Sequence, residues 1–439
     1  MQSAKSFGID FGTSNSALAV ADADGAVRLA RFEIPTTVPL STTNQSRLAS
    51  TCPSVLFAST RRAQISAGYD AISHYIETAR DGRFIQSMKA FLPKSNFTGT
   101  SIGGRVLRLE DLVAEFLDRL IRDAKKSLGV ELDGLVTFGR PARFSNDPEE
   151  EALAETRFRA AIEAVGVRDY SLLREPTAAA LAYESELTTE ETVFVVDLGG
   201  GTSDFTLMRL GPRYRSKRDD ASRVLATGGI SVAGDAFDGQ IVEACLFEPL
   251  GYGSQYRAFT SLTRVPHWIF HKLKRWNHVS FLKERTYLEF LRNVERTSDA
   301  PEAIAALLQV VEDDLGYVLF RAVERSKRGL QHESEDESEI FDEDLPVGAA
   351  LTRKAFREAT QDLRDNIEAT ALEVLASGQV QPAEVDAVFM TGGTSLLPEI
   401  QNTFRALFGP EKIRVRDMFT SVVQGLASSG HAQRSRSNL

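Results

Sequence analysis

The chain has 439 residues, of which 42% are hydrophobic and 26% are charged, and its net charge is −10 at neutral pH. This length favours two or more domains, and the composition is typical of a globular rather than a disordered protein. The acidic balance argues against a general affinity for nucleic acid. The two cysteines, Cys52 and Cys245, lie far apart and indicate neither a zinc site nor a disulfide framework.

The N-terminal stretch MQSAKSFGID leads almost at once into a predicted strand, which leaves no room for a signal peptide. The sequence contains no run of eighteen apolar residues, so no transmembrane helix is predicted. We therefore expect a soluble, cytoplasmic protein that does not bind membranes.

The first predicted elements form a hairpin with a polar turn. Residues 7–20 read FGIDFGTSNSALAV, a strand ending in Asp10, a turn of glycine and hydroxyl residues, and a second strand. Residues 194–208 read FVVDLGGGTSDFTLM and repeat this pattern after Asp197, with two additional glycines in the turn. A repeat at this separation predicts two similar lobes, each with its own hairpin.

The composition of the two turns indicates a phosphate ligand. Glycine-rich turns direct backbone N–H groups towards an anion, and a nearby carboxylate can hold Mg²⁺ through its waters. Either turn alone is explained as well by an ordinary β-turn. Two matching copies, each preceded by Asp, favour two lobes that close on one polyphosphate. The sequence contains neither a P-loop nor a dinucleotide fingerprint.

A third glycine motif follows in residues 386–400, DAVFMTGGTSLLPEI. It predicts a short strand, a Gly-Gly turn and a helix that begins near Pro398. This order suits the sugar or α-phosphate side of a nucleotide, because the start of a helix attracts anions. Taken alone, the motif is equally typical of an ordinary strand-to-helix turn.

In this order and spacing, the three motifs resemble the phosphate-1, phosphate-2 and adenosine motifs of the superfamily that contains actin, sugar kinases and DnaK-type heat-shock chaperones. Four further stretches resemble signatures of the DnaK-type family: PARF at 141–144, LLREPTAAALAYE at 172–184, GGISVAGDAFD at 228–238 and VERSKRGL at 323–330. The resemblance extends over about residues 5–430 and is highly specific.

The resemblance implies an α/β, two-lobed actin-like ATPase fold with duplicated ribonuclease-H-like lobes. Lobe I would comprise residues 1–186, with an inserted subdomain at about 31–110. Lobe II would comprise residues 187–439, with an inserted subdomain at about 229–345. We expect no peptide-binding domain, as in the short bacterial relatives that consist of the nucleotide-binding domain only.

The resemblance also implies roles for individual residues. Lys89 would contact the γ-phosphate and the attacking water, Glu175 and Asp204 would orient that water or the metal shell, and Asp10 and Asp197 would hold hydrated Mg²⁺. The implied nucleotide-binding residues are Gly12, Thr13, Ser14, Asn15, Gly199, Gly200, Gly201, Thr202, Gly234, Asp235, Glu324, Lys327, Arg328, Gly392, Gly393 and Thr394.

Several of these residues also have simpler interpretations. Without the resemblance, Lys89 reads as a surface lysine, and Glu175 as a carboxylate that favours the first turn of a helix. Glu324, Lys327 and Arg328 have the spacing of a solvated, salt-bridged helix face.

Three positions depart from the family pattern on the side of the base. Leu396 stands where an arginine stacks on adenine, Gln331 replaces a serine of the adenine pocket, and Phe419 replaces an acidic residue near the ribose. We expect the base to be held more by apolar packing than by a stacked cation.

The implied function is Mg²⁺-dependent binding and slow hydrolysis of ATP by a chaperone-type nucleotide switch. The expected partners are adenine nucleotide and a protein partner or client, reached by a route that the sequence does not reveal, with no nucleic acid. A small-molecule kinase of the same superfamily, an actin-like filament-forming protein and a nucleotide-binding scaffold without catalysis are the alternatives.

Two charged stretches stand apart from these motifs. Residues 265–291 mix both tryptophans with Lys, Arg and His, a pattern found in surfaces that bind partners or nucleic acid, and more often in helical subdomains whose cations extend over apolar neighbours. The acidic run ESEDESEIFDED at 333–344 predicts a solvated loop that leads into a strand.

Overall fold

A computed structural model describes residues 5–38, 46–59, 65–78, 82–102, 104–145, 147–184, 187–214, 223–332, 334–415 and 418–437. The chain divides into two compact units. Unit 1 comprises Met1–Ser231, Glu368–Ser395 and Phe404–Leu439, and unit 2 comprises Val232–Ile367 and Leu396–Thr403. The predicted boundary between lobes at residue 186 lies outside the described residues, and the division into lobes stays a prediction.

The strands are short and number from β1 to β22 in chain order. Their bounds are β1 (Ser6–Asp10), β2 (Asn15–Ala21), β3 (Val27–Leu29), β4 (Phe32–Glu33), β5 (Leu48–Ala49), β6 (Cys52–Pro53), β7 (Val55–Ser59), β8 (Ile65–Ala67), β9 (Gly82–Gln86), β10 (Gly99–Ile102), β11 (Arg105–Arg108), β12 (Leu135–Arg140), β13 (Tyr170–Arg174), β14 (Glu191–Leu198), β15 (Ser203–Leu210), β16 (Val224–Ile230), β17 (Gln255–Ala258), β18 (Ser261–Arg264), β19 (Glu337–Ile340), β20 (Ala349–Thr352), β21 (Ala387–Thr391) and β22 (Ile413–Val415).

The helices number from α1 to α15. Their bounds are α1 (Gly68–Glu77), α2 (Met88–Phe91), α3 (Leu109–Leu128), α4 (Pro148–Ala164), α5 (Glu175–Glu184), α6 (Gly234–Ile241), α7 (His267–Leu273), α8 (Trp276–Val279), α9 (Arg285–Thr297), α10 (Pro301–Glu312), α11 (Gly316–Gly329), α12 (Arg353–Ala359), α13 (Gln361–Ser377), α14 (Pro398–Phe408) and α15 (Met418–Ser437).

Unit 1 contains two sheets with the same topology. The first has the strand order β13-β12-β1-β2-β3, and the second has the order β22-β21-β14-β15-β16. In each sheet the central strand pairs antiparallel with the strand that follows it and parallel with a strand from much later in the chain. The α/β fold class is confirmed, because the two hairpins recognised in the sequence form equivalent parts of two equivalent sheets.

The central strands are buried because helices cover the sheets. In β14 the run Val193–Val196 is inaccessible to solvent, as expected for a strand covered on both faces. Helix α3 is amphipathic: it buries apolar residues at spacings of three and four, and it ends at Gly129 in the left-handed conformation.

Helix α15 lies against β1, β2, β12 and α5, all within unit 1. Two glycines permit this close packing. A Cβ on Gly425 would lie 2.0 Å from the Ala178 carbonyl oxygen of α5, and a Cβ on Gly8 of β1 would lie 2.4 Å from the Val423 carbonyl oxygen. The helix thereby fixes β1, which ends in Asp10, against α5, which begins with Glu175.

Unit 2 is mainly helical and contains two hairpins, β17–β18 and β19–β20. Its core includes Phe237, Phe270 and Phe356, which are fully buried. The acidic run at 333–344 differs from the predicted loop, because its residues Glu337–Ile340 themselves form β19 and pair with β20. None of the helices in the described part of the chain combines the length and hydropathy needed to cross a lipid bilayer.

The close packing of α15 predicts a large effect of one methyl group. Gly425→Ala should lower the free energy of unfolding by about 1–3 kcal/mol, because the new Cβ overlaps the backbone of α5, although alanine favours helix more than glycine does. Urea denaturation provides the measurement. Gln424→Ala, the preceding position of the same helix, is the control and should have a much smaller effect. A Gly425→Ala protein as stable as the parent would contradict the close packing.

Candidate active site

Four carboxylates of unit 1 lie where the central hairpins and α5 meet. Asp10 ends β1, Asp197 precedes the last residue of β14, and Asp204 is the second residue of β15. Glu175 is the first residue of α5. The charges of Glu175 and Asp197 both act on Asp10, and the charges of Asp197 and Glu175 both act on Asp204, which places the four groups in one cluster.

Lys89 supplies the positive charge of this cluster. Its Nζ donates a hydrogen bond of 2.7 Å to Glu175 Oε1, and the two side chains are only 11% and 9% exposed. Lys89 lies in the short helix α2, which follows Ser87 in a left-handed conformation with φ of 56°. A serine rarely adopts this conformation, so the backbone is constrained where it turns Lys89 inward. The interpretation of Lys89 as a surface lysine is wrong.

The position of Glu175 depends on a neighbouring strand. A Cβ on Gly139 of β12 would lie 3.0 Å from Glu175 Cγ, so glycine provides the space that the glutamate occupies. The described hydrogen bond of the Glu175 side chain is to Lys89 rather than to a backbone N–H of its own helix. Sequence reasoning missed Gly139, although a glycine within an apolar strand is a known sign of close approach.

The electrostatics of the cluster reflect an excess of negative charge. Burial, with repulsion from Glu175, raises the pKa of Asp10 well above its ordinary value. Burial and the Glu175 charge raise the pKa of Asp197 to about 6, and burial and the Asp197 charge raise the pKa of Asp204 to about 7. Burial alone would lower the pKa of Lys89, but the charges of Glu175 and Asp10 raise it overall. The ammonium therefore stays charged.

Hydrogen bonds join the second hairpin to the third glycine motif. Thr391 at the end of β21 donates to Asp197 Oδ1 at 2.8 Å, and Thr394 donates to the Gly199 carbonyl at 3.1 Å. Thr202 donates to Asp204 Oδ2 at 2.8 Å. Sequence reasoning missed Thr391, which the strand pairing places beside Asp197.

The glycines of the three motifs fall into two classes. A Cβ on Gly12 would lie 2.0 Å from the Asn15 carbonyl oxygen, and a Cβ on Gly392, where φ is +84°, would lie 2.0 Å from the Leu198 carbonyl oxygen. The fold itself requires glycine at both positions. A Cβ on Gly199 or Gly201 would lie 3.5 Å from its nearest neighbour, which is ordinary van der Waals contact, and neither residue has a positive φ.

The structure brings most of the predicted phosphate-side residues together in unit 1. Residues 12–15 lie at the turn between β1 and β2, and residues 199–202 lie at the turn between β14 and β15. A Cβ on Gly201 would lie 3.5 Å from Thr13 Cγ2, so the two turns face each other. Residues 392–394 lie between β21 and α14 and contact the second turn through Thr394.

The remaining predicted residues belong to unit 2. Gly234 and Asp235 begin α6, and Glu324, Lys327 and Arg328 lie on α11. Lys327 Nζ forms a buried ion pair of 2.6 Å with Asp238 and donates to the Gly234 carbonyl at 3.4 Å, which ties α11 to the start of α6. Glu324 and Arg328 form an ion pair on a half-exposed helix face, the contact that helical spacing alone predicts.

A second buried ion pair supports the end of α11. The Arg353 guanidinium bonds Glu399 Oε1 at 2.8 Å and donates to the carbonyl groups of Leu330, His332 and Glu335. Glu399 is in the first turn of α14, and both side chains are buried. This arginine thus connects the start of α14 to the residues that follow α11, all within unit 2. Its role was not recognised in the sequence.

The donor set fits a hydrated divalent cation. Within the described ranges, no three His, Cys, Asp or Glu groups converge in a way that could ligate a metal directly. Mg²⁺ keeps most of its waters and needs only one or two carboxylates. Four acidic groups accompanied by one ammonium leave a negative excess that such a cation would neutralise. Asp10 and Asp197 are the residues that would hold it.

Comparison with protein families supports the resemblance. Residues 85–249 and 313–432 match the model of a family described as Hsp70 protein. The matched residues make up more than half of the chain, and the match is interrupted across residues 250–312.

Three chaperone proteins DnaK represent the similar relatives. The protein from Thermosipho melanesiensis is 26% identical over 422 residues, covering 96% of this chain and 58% of the relative. The protein from Deinococcus radiodurans is 27% identical over 426 residues, covering 92% and 56%. The protein from Thermotoga neapolitana is 27% identical over 410 residues, covering 92% and 55%. The chain thus spans less than two thirds of the length of each relative.

The charge excess predicts a pH-dependent cost to stability. The pKa of Asp204 is about 7 in the folded protein against an ordinary value of 3.8, so the protonated carboxyl stabilises the fold at low pH and this stabilisation is lost as the pH rises through 7. Between pH 5 and pH 8, the metal-free and nucleotide-free protein should lose on the order of 1 kcal/mol of stability that Asp204→Asn retains.

Urea denaturation of both proteins in the presence of a chelator, at the two pH values, measures this difference. The exposed substitution Glu343→Gln is the control and should follow the parent. An identical pH dependence in Asp204→Asn and in the parent would show that Asp204 carries no raised pKa.

Proposed function

This chain belongs to the Hsp70 family, and we propose that it binds Mg²⁺-ATP between the glycine turns of unit 1 and hydrolyses it slowly to ADP and phosphate. The single observation that carries the proposal is the presence of glycine at 199 and 201, where the protein itself has room for a Cβ and does not use a left-handed backbone. A ligand that approaches the backbone closely explains both glycines, since turn N–H groups bind phosphate oxygens at about 2.9 Å.

The cluster around this turn supports hydrolysis rather than binding alone. Lys89 is held in place by Glu175, so its charge is preorganised to stabilise negative charge that develops on the γ-phosphoryl group. When bound, Mg²⁺ would neutralise phosphate charge and keep the carboxylates ionised. Glu175 and Asp204 would orient the attacking water, and an ionised carboxylate beside that water is suited to accept its proton.

The adenosine end is proposed to involve Glu324, Lys327 and Arg328 of α11. Lys327 is the least available of these residues for a ligand, because its ammonium already forms an ion pair with Asp238. Leu396 and Gln331 would offer the base apolar and amide contacts in place of a stacked arginine.

The biological output is proposed to be that of a chaperone-type switch in which bound nucleotide controls a protein partner. Slow turnover suits this role, because the lifetime of the ATP state then sets the duration of the signal. Titration calorimetry with MgATP and MgADP tests the basic proposal. No heat and no thermal shift at millimolar nucleotide would refute it.

Substitution of Gly199 and Gly201 distinguishes two explanations of these glycines, a turn that needs glycine for its own backbone and a loop that leaves room for a ligand. Gly199→Ala and Gly201→Ala should leave the nucleotide-free protein as stable as the parent or slightly more so, because the Cβ has room and alanine reduces the entropy of the unfolded chain. Both variants should lose most of the stabilisation by MgATP, which is about 2.7 kcal/mol at a hundredfold excess over Kd.

Melting curves with and without MgATP provide the measurement. Gly129→Ala, at the left-handed end of α3, is the control: it should lower the melting temperature and retain the full shift with nucleotide. If the two loop variants also retain the full shift, glycine is not required there for binding.

Lys89 should matter for turnover more than for affinity. Lys89→Met should reduce the rate of phosphate release by roughly 10²-fold and change the MgATP dissociation constant only a few-fold, because the charge acts mainly on the transition state. Methionine retains the apolar stem beside Glu175. Single-turnover hydrolysis and calorimetry measure the two effects. Lys94→Met, at an exposed lysine nearby in sequence, should retain the parent rate. Equal rates in all three proteins would remove Lys89 from the mechanism.

A further inference from the structure

One long segment of unit 2 has an unusual charge. Between residues 249 and 283 the sequence contains no Asp or Glu, although the chain as a whole has a net charge of −10. We call this stretch the basic segment, and its cations are Arg257, Arg264, Lys272, Lys274, Arg275 and Lys283. A local charge opposite to that of the whole molecule indicates an electrostatically defined surface.

Most of the basic segment lies in an interval that the Hsp70 family model does not match, although the alignments with the DnaK relatives extend over 92–96% of the chain. The match to the Hsp70 model ends at residue 249 and resumes at residue 313. The intervening residues form β17, β18 and helices α7 to α10. The family model therefore does not describe the sequence of these elements.

The hairpin β17–β18 presents an aromatic tip. Phe259 is fully exposed, at 101%, and its φ of +55° is one that glycine adopts readily and a bulky residue rarely does. Leu262 beside it is 67% exposed. A strained and solvated phenylalanine costs stability, so its presence at this position indicates a contact made by the tip.

Two arginines flank this tip. Arg257 and Arg264 are exposed, and within the described residues neither forms an ion pair. Arg257 lies directly opposite Leu262 in the hairpin, which places a cation beside an apolar side chain. We call residues Gln255–Arg264 the basic hairpin. An apolar centre with a charged rim is the usual anatomy of a protein-binding surface.

The same unit carries a complementary surface. The acidic segment, residues 333–344, contains eight Asp and Glu residues and no Lys or Arg. Phe341 within it is 53% exposed, and Glu337, Glu339 and Glu343 are also exposed. The ion pairs found for this segment in the described part of the chain join Asp342 to Arg325 and Asp336 to Arg353, and neither cation belongs to the basic segment.

We propose that the basic hairpin of one molecule docks on the acidic segment of a second copy of this chain. Phe259 and Leu262 would pack against Phe341, and Arg257 and Arg264 would face Glu337, Glu339 and Glu343. Exposed ion pairs contribute little on their own, so the aromatic contact supplies affinity and the charges supply orientation and specificity.

A second copy fits this surface better than a nucleic acid or a lipid does. The complementary charge and the complementary exposed aromatic are both present in the chain itself, whereas a net charge of −10 repels an extended polyanion. Because the two surfaces differ, the contact is head-to-tail and leaves a free hairpin at one end and a free acidic segment at the other. Such contacts close into rings or extend into filaments.

Salt dependence and exchange of charges test the proposal. Sedimentation velocity of the full chain should show concentration-dependent association at about 20 mM salt that is strongly weakened at about 500 mM, where the Debye length is only a few ångströms. The variants Arg257→Glu/Arg264→Glu and Glu337→Lys/Glu339→Lys should each be monomeric. An equimolar mixture of the two should associate again, because each restores the charge pairing that the other has lost.

The aromatic tip has its own test. Phe259→Gly removes the side chain and suits the backbone conformation, so it should raise the melting temperature while weakening association by about tenfold or more. Val106→Ala, at an exposed apolar residue of β11 in unit 1, is the control and should associate like the parent.

Three results would overturn the proposal. The first is a parent protein that is monomeric at every salt and protein concentration, and the second is a mixture of charge-exchanged variants that stays monomeric. The third is a monomeric parent that binds a single-stranded oligonucleotide or anionic phosphatidylglycerol vesicles through Arg257 and Arg264, which would assign the surface to another occupant.

Discussion

Asp10, Glu175, Asp197 and Asp204 share a largely buried space with the Lys89 ammonium, and the organisation of unit 1 follows from holding these charges together. Burial, together with repulsion from neighbouring carboxylates, raises the pKa values of Asp10, Asp197 and Asp204, and the Lys89 charge offsets only part of this rise. Four parts of unit 1 have to meet at this point: the central strands of the two sheets, the start of α5 and the turn into α2. The closely packed helix α15 fixes two of these elements relative to each other.

This charge excess is costly for the protein alone and useful once a phosphate ligand and a cation are bound. Proteins commonly retain such destabilising groups where function requires them. Two of the loop glycines are likewise not explained by the fold. Gly12 and Gly392 are required by the packing of the protein, whereas the positions of Gly199 and Gly201 have room for a side chain. The space left above the second hairpin is therefore best understood as space for a ligand.

The proposed nucleotide site and the basic hairpin would serve different purposes. The proposed phosphate site belongs to unit 1, whereas unit 2 carries a hairpin whose tip is apolar, strained and flanked by cations.

The duplicated hairpins could be predicted from the sequence alone, as could their acidic ends and the glycine motifs, because these features depend on residues that are neighbours in the chain. The sequence also predicted the start of α14 at Pro398, since proline is favoured in the first turn of a helix. It could not reveal Gly139 beside Glu175, Thr391 beside Asp197 or Arg353 bonded to Glu399, since each pair joins segments that are distant in sequence.

Lys89 and Ser87 illustrate the same difference between what local sequence predicts and what the packing of distant segments adds. The resemblance predicted the role of Lys89, but composition and spacing alone favoured a surface lysine, and nothing in the sequence indicated a left-handed serine before it. Burial and ion pairing are properties of a three-dimensional neighbourhood, and the inward direction of Lys89 towards Glu175 became apparent only in the folded protein. A local sequence pattern specifies which charged groups are present. The packing of distant segments specifies which of these groups lie together in a buried, low-dielectric environment, where they must neutralise each other.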